Sequence, residues 1–167
     1  FKIFDTIFDN ELVLNALSEK NRIMLVNGLE AELSVFWLLN EKNVGEVKFA
    51  DRDLDEKNGV DLVLVGHNNS ITYLQVKSSN KINEPVQFDI LDASSLENYR
   101  REFIDKLSNK DHRLRLESCL RCFTAYVQKE KEKDPFRTIN GIMFYHPIRP
   151  EKWEIRKNRQ RNFQKFF

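Results

Sequence analysis

The stretch VDLVLVGHNNSITYLQVK, residues 60–77, decides the fold. Its two runs, Val60–Val65 and Ile71–Lys77, carry the alternating apolar and β-branched side chains of strands. Between them, Gly66-His67-Asn68-Asn69-Ser70 is turn chemistry. A five-residue loop is too short for a crossover, so the two strands run antiparallel. With a symmetric loop, Val65 pairs with Ile71 and Val63 with Tyr73, and Asp61 then faces Gln75. Directly opposed residues hold their Cβ atoms about 4.5–5.5 Å apart on one face. Lys77, two residues past Gln75, lies on that face too. Leu62, Leu64, Leu74 and Val76 take the other face. Three polar groups therefore converge at one end of an otherwise apolar hairpin. The plain alternative is that strand ends are where polar residues meet water.

Working outward, residues 9–20 read as a short amphipathic helix. Residues 22–40 read as a longer one, with Leu25, Leu29, Leu33, Phe36 and Leu39 as its apolar stripe. At about 100° per residue, Glu32 falls inside that stripe and Glu30 on the polar side. A carboxylate among core-facing positions is costly unless paired, protonated or bound to a metal. The competing account is a helix N-terminus capped by Asn27, where the dipole favours acids. Residues 45–50 alternate like a strand. Residues 95–109 and 112–131 read as two charged helices, and 139–145 as a buried strand stopped by Pro147 and Pro150. The order of helices and strands, with one antiparallel hairpin, predicts an α/β or α+β fold with a mixed sheet.

The 167 residues suit one domain with a real core. We expect no membrane-spanning run, and find no signal-peptide pattern after Phe1. The opening on Phe rather than Met suggests a processed or partial chain. Two cysteines, Cys119 and Cys122, fit a reducing, intracellular (cytoplasmic) setting. Their C-x-x-C spacing, with Leu116, Leu120 and Phe123 around it, reads as small buried residues on a helix. A zinc site would need His112 and His146 as well. Asp51, Asp53 and Asp55 imitate the start of a calcium loop, but Glu56 and Leu62 stand where that loop needs Gly and Glu. His67 reads as a turn residue.

The net charge of +1 hides an asymmetry. Up to Leu96 there are nine Lys and Arg against sixteen Asp and Glu; from Glu97 onward, eighteen against ten. An acidic half suited to cations precedes a basic half suited to phosphates. In the tail, Arg149, Lys152, Arg156, Lys157, Arg159, Arg161 and Lys165 are interleaved with Trp153 and phenylalanines. Lys and Arg neutralise phosphates and aromatics stack on bases; equally, the aromatics could pack back on the core.

Three segments together, Asn27-Gly-Leu-Glu-Ala-Glu32, Gly59-Val-Asp61 and Tyr73-Leu-Gln-Val-Lys-Ser-Ser79, resemble the PD-(D/E)XK nuclease superfamily. The likeness is to its Q-x-K branch of endonucleases and Holliday-junction resolvases, and covers under a third of the chain. It implies a restriction-endonuclease-like core, a mixed β-sheet flanked by helices. Residues 1–167 would form a single nuclease-like domain, with a helical insertion at about 95–133 and a basic C-terminal tail at 149–167. It implies a Mg2+-dependent (or Mn2+-dependent) endonuclease hydrolysing phosphodiester bonds, with DNA the expected nucleic acid, and is compatible with a homodimer. Glu32, Asp61, Gln75 and Lys77 would take the catalytic positions. Glu32, Asp61, the Gln75 amide oxygen and the Val76 carbonyl would hold the cation. Lys77 would orient or help deprotonate the attacking water, or stabilise the pentacovalent phosphate. Arg149, Lys152, Arg156, Lys157, Arg159 and Arg161 would bind the nucleic-acid backbone. The departure is Gln75, where the commonest form has an acid. An uncharged amide leaves two carboxylates, and keeps open an inactive nuclease-fold module that binds nucleic acid or a protein partner.

Overall fold

The computed structural model describes residues 18–79, 87–91, 95–105, 107 and 109–147. The expected helix at 9–20 lies almost wholly outside these residues, as does the basic tail.

Helix α1 spans Glu19–Glu41, and Ser18 caps it by accepting from the Asn21 amide at 3.3 Å. It starts earlier than the apolar periodicity suggests, so Asn27 and Gly28 sit inside it and cap nothing. Its buried side chains are Ala31, Val35, Leu38 and Leu39, while Leu25, Leu29, Leu33 and Phe36 are only partly covered. The core-facing stripe is therefore rotated by roughly a third of a turn from the predicted one, counting about 100° per residue. The predicted stripe runs through the leucines, but the sheet surface accepts the smaller Ala31 and Val35 at closest approach. The segment Ile23–Glu41 has the length and composition of a membrane span, against the sequence expectation. Here its inner face packs on the sheet.

After α1 come β1 (Gly45–Phe49), α2 (Arg52–Asn58), β2 (Leu62–Gly66), β3 (Ile71–Ser79), β4 (Gln87–Ile90), α3 (Ser95–Tyr99), α4 (Lys110–Lys133) and β5 (Ile139–Pro147). A π-helical turn, Arg100–Ile104, continues α3, so the predicted helix at 95–109 is shorter and irregular. The strands form one mixed sheet in the order β1-β2-β3-β5-β4. The hairpin register agrees with the counting: Val63 pairs with Tyr73 and Val65 with Ile71, antiparallel. β5 lies parallel to β3 along its whole length, and β4 runs antiparallel to β5. The protein is thus α/β, with a five-stranded mixed sheet flanked by helices.

Two layers of core cover the two faces. Val47, Leu62, Leu64, Leu74, Val76 and Ile142 pack under α1. Val60, Tyr73, Ile139 and Met143 pack against Leu120, Phe123 and Val127 of α4 and against Tyr99 and Ile104. Alternation along each strand sorts these sets.

Two elements have no counterpart in the sequence reading. β4 follows a segment of mixed polarity with no strand signature. α2 has a single apolar residue, Leu54, so it shows no periodicity. Its ends are nonetheless written in the sequence. Asp51 caps it by accepting from the Leu54 amide at 2.8 Å, and Gly59 closes it in the left-handed region at φ 66°. The hairpin turn is tied down by Arg137, which donates to the Asn69 carbonyl and side chain at 2.6 Å each. His67, in the same exposed turn, contacts the Asn43 carbonyl at 2.9 Å, as a turn residue would.

Candidate metal and catalytic centre

The β2–β3 ladder ends at Leu62–Leu74. Beyond it β3 continues beside β5 alone, so its amides on the other side lack a strand partner. Asp61 fills this fork. Its backbone amide donates to the Leu74 carbonyl at 2.8 Å, and its carbonyl accepts from Ala50 at 3.0 Å. Its side-chain Oδ2 accepts both the Val76 amide and the Gln75 Nε2, each at 2.5 Å. The predicted facing of Asp61 and Gln75 is therefore realised between side chains, just past the end of the ladder.

Gln75 is 2% exposed. It points to the α4 side of the sheet, where Cys119 donates its S–H to Gln75 Oε1 at 3.0 Å. Gly59 closes a third side. A Cβ there would lie 2.9 Å from Cys119 Sγ and 3.0 Å from Gln75 Oε1, so α2 can end here only on glycine. Lys77 lies on the Gln75 face by alternation and is partly exposed.

Glu32 comes from the other side of the sheet. α1 covers the Leu62–Leu64–Leu74–Val76 face, opposite Gln75. Glu32 sits on the flank of the buried stripe, not in its centre, and is partly buried. Glu30 is exposed, as expected. With α1 beginning at Glu19, Glu32 lies mid-helix, far from the N-terminal dipole that would be its ordinary explanation.

Electrostatics ties the two sides together around the fork. Burial, then the Asp61 and Asp55 carboxylates, push Glu32 up to about 8, against a smaller pull from Lys77. Burial pushes Asp61 up to about 6, opposed by Lys77 and the Val76 amide. Glu32, Asp61 and Lys77 thus feel one another's charge, while Asp61, Gln75 and the Val76 amide touch. Among the described residues, none of the ion pairs within 4 Å involves Lys77.

Two members of this neighbourhood escape the sequence reading. Asp55, on α2, is largely exposed, yet its charge acts on Glu32 and Asp61, and partial desolvation and Glu56 raise its own carboxyl. In the sequence it belongs to the failed calcium loop; the capping pair Asp51 and Gly59 is the signal for the helix that aims it. Cys119 reads from the sequence as a core hydrophobe. It is only half-buried and bonds Gln75, and Cys122 is exposed, which corrects the expectation of two buried cysteines. Nothing in the sequence joins Cys119 to Gln75 across so many residues.

Glu32 and Asp61 together offer hard oxygen ligands whose buried charge a cation would relieve. Among the described residues, however, no three His, Cys, Asp or Glu side chains stand close enough to share a metal ion. The Gln75 carbonyl, expected as a ligand, faces Cys119, and it is the amide nitrogen that faces Asp61. The zinc alternative for the C-x-x-C finds no support either: His112 is exposed and no metal-binding group among the described residues includes it. The side chain of His146 lies outside the described residues. No family model, curated protein or solved structure matches the chain.

Proposed function

We propose that this chain is a metal-dependent phosphodiester hydrolase with a restriction-endonuclease-like core, acting as an endonuclease on nucleic acid, with DNA the first candidate. One observation carries the reading. Asp61, held at the fork of the sheet by the Val76 amide and Gln75, and Glu32, on the flank of α1, come from elements distant in sequence and are both partly buried, their carboxyls raised to about 6 and about 8 with Lys77 acting on both. Taking carboxylates out of water costs stability, and a divalent cation would offset that cost. The order of Glu32 on α1, Asp61 just before β2 and Gln75 and Lys77 on β3 is also the order that the resemblance to the PD-(D/E)XK superfamily implies.

In this reading Asp61 and Glu32 hold Mg2+ or Mn2+. Asp61 is oriented for this by the Val76 amide and Gln75. The bound cation would supply Lewis acidity and a lowered pKa for water. Lys77, outside the ion pairs of the described residues, can steer a water toward phosphorus or balance charge that develops on the phosphoryl oxygens. The basic residues Arg149, Lys152, Arg156, Lys157, Arg159 and Arg161, outside the described residues, would meet the backbone phosphates.

A second reading is favoured by the direction of the Gln75 amide and by the want of a third ligand among the described residues: a nuclease-fold module that binds nucleic acid or a protein without cutting. Incubating plasmid, linear duplex, single-stranded and junction DNA with Mg2+, Mn2+ or chelator separates the two. Metal-dependent cleavage that Asp61→Asn abolishes supports the hydrolase. Binding with no cleavage in either metal selects the second reading.

A further inference from the structure

We infer that Cys119 is a positioning residue that aims the amide N–H of Gln75, rather than its carbonyl, at Asp61. In calling this the working site the inference rests on the proposed function, but the hydrogen-bond logic does not. An ionised carboxylate can only accept, so whichever end of the amide meets Asp61 Oδ2 must be the nitrogen. The carbonyl then points away from Asp61 toward α4, in a residue 2% exposed. A buried carbonyl left without a donor is costly. The donor the fold supplies is the Cys119 S–H at 3.0 Å. Gly59, whose missing Cβ leaves room for both groups, brings the end of α2 against the same pair. A chain of hydrogen bonds thus runs from Cys119 through Gln75 to Asp61.

The consequence is a change of role for Gln75. It holds the Asp61 carboxylate in place as a donor, with its own oxygen committed to the thiol. Cys119 acts only through Gln75, so it is not a catalytic residue. Serine can replace the thiol as a donor, whereas an apolar side chain cannot.

The test uses the full chain without metal, labelled with 15N at glutamine, and compares the parent with Cys119→Ser and Cys119→Val. The Gln75 side-chain amide signals are identified by their loss in Gln75→Met. In the parent they should exchange slowly with solvent, since Gln75 is 2% exposed. Cys119→Ser should preserve both signals and their exchange. Cys119→Val should shift both and speed exchange by about tenfold, as loss of one hydrogen bond predicts. Unmoved signals in Cys119→Val overturn the inference. If that variant fails to fold, the bond is read from the thiol instead. In Cys122→Ser protein the remaining S–H stretch belongs to Cys119, because the chain has two cysteines. The inference requires a lowered stretch that rises in the added Gln75→Met background, and an unmoved stretch refutes it. Cleavage assays on the same samples keep the two ideas apart. Loss of the nuclease reading leaves the positioning result standing, and an unmoved amide signature sinks the positioning role even in an active nuclease.

Discussion

Replacing Gln75 by Glu puts a carboxylate where an amide now donates to Asp61 at 2.5 Å, in a position 2% exposed. Asp61 keeps the Val76 amide but loses the side-chain donor. If both acids are ionised, their repulsion at a separation of about 4 Å is about 4 kcal/mol for an effective dielectric constant of about 20. The other route keeps one proton on the pair, with its O–H donating across the gap. Holding that proton costs about 1.4 kcal/mol for each pH unit above the ordinary glutamic pKa of about 4.3. At pH 5 this route costs about 1 kcal/mol, whereas at pH 8 it would cost about 5 kcal/mol and the ionised pair becomes the lesser penalty. The folded pKa of the pair is raised, so the penalty is smallest below the ordinary carboxylate range. It grows as pH rises toward the folded value and then levels off. The pair titrates as a unit, so the two steps belong to neither residue alone. A cation shared by the two acids restores about 2.7 kcal/mol at a concentration one hundred times its Kd. The assay is urea unfolding of parent and variant at pH 5 and pH 8, with chelator and with Mg2+. We expect a loss of about 1 kcal/mol at pH 5 and about 4 kcal/mol at pH 8, with Mg2+ restoring the variant more than the parent. An equal loss at both pH values would refute the facing of residues 61 and 75. No gain from Mg2+ in either protein would refute the cation site.

Three further outcomes follow from the same geometry. Because Glu32 is raised to about 8 and Asp61 to about 6, the metal-free parent should be most stable near pH 4 and lose stability as pH rises through 6 and then 8. Glu32→Gln should flatten that profile and melt above the parent at pH 8; a parent profile flat from pH 4 to 8 would show that neither acid is perturbed. Gly59→Ala forces a side chain into φ 66° and against Cys119 and Gln75, so it should cost about 1–3 kcal/mol in thermal unfolding. A change within error would mean that α2 ends with room to spare. Neutralising Arg156, Lys157, Arg159 and Arg161 together should flatten the salt dependence of DNA binding by about 0.9 in log–log slope for each phosphate no longer neutralised; an unaltered slope would assign the tail to packing.

What can be read from the chain is what local periodicity and turn chemistry encode. The hairpin and its register come from alternation and loop length, since a slip of one residue would turn every leucine of 62–65 to the wrong face. The same count places Asp61 opposite Gln75, and the mixed sheet follows from one short loop among longer connections. Tertiary structure decides the rest. Which side of α1 is buried depends on the shape of the sheet it meets, and Ala31 and Val35, not Leu29 and Leu33, fit closest. That rotation moves Glu32 to the flank of α1, on the side of the sheet opposite Gln75 and within reach of the Asp61 charge. β4 exists because β5 offers it an edge, which no local propensity records. Asp55 and Cys119 join the site through the packing of α2 and α4, elements that no pattern within the hairpin foretells. The direction of the Gln75 amide is settled by its partners. A carboxylate on one side and a thiol on the other leave the amide one satisfied orientation, and only the folded chain brings those three groups together.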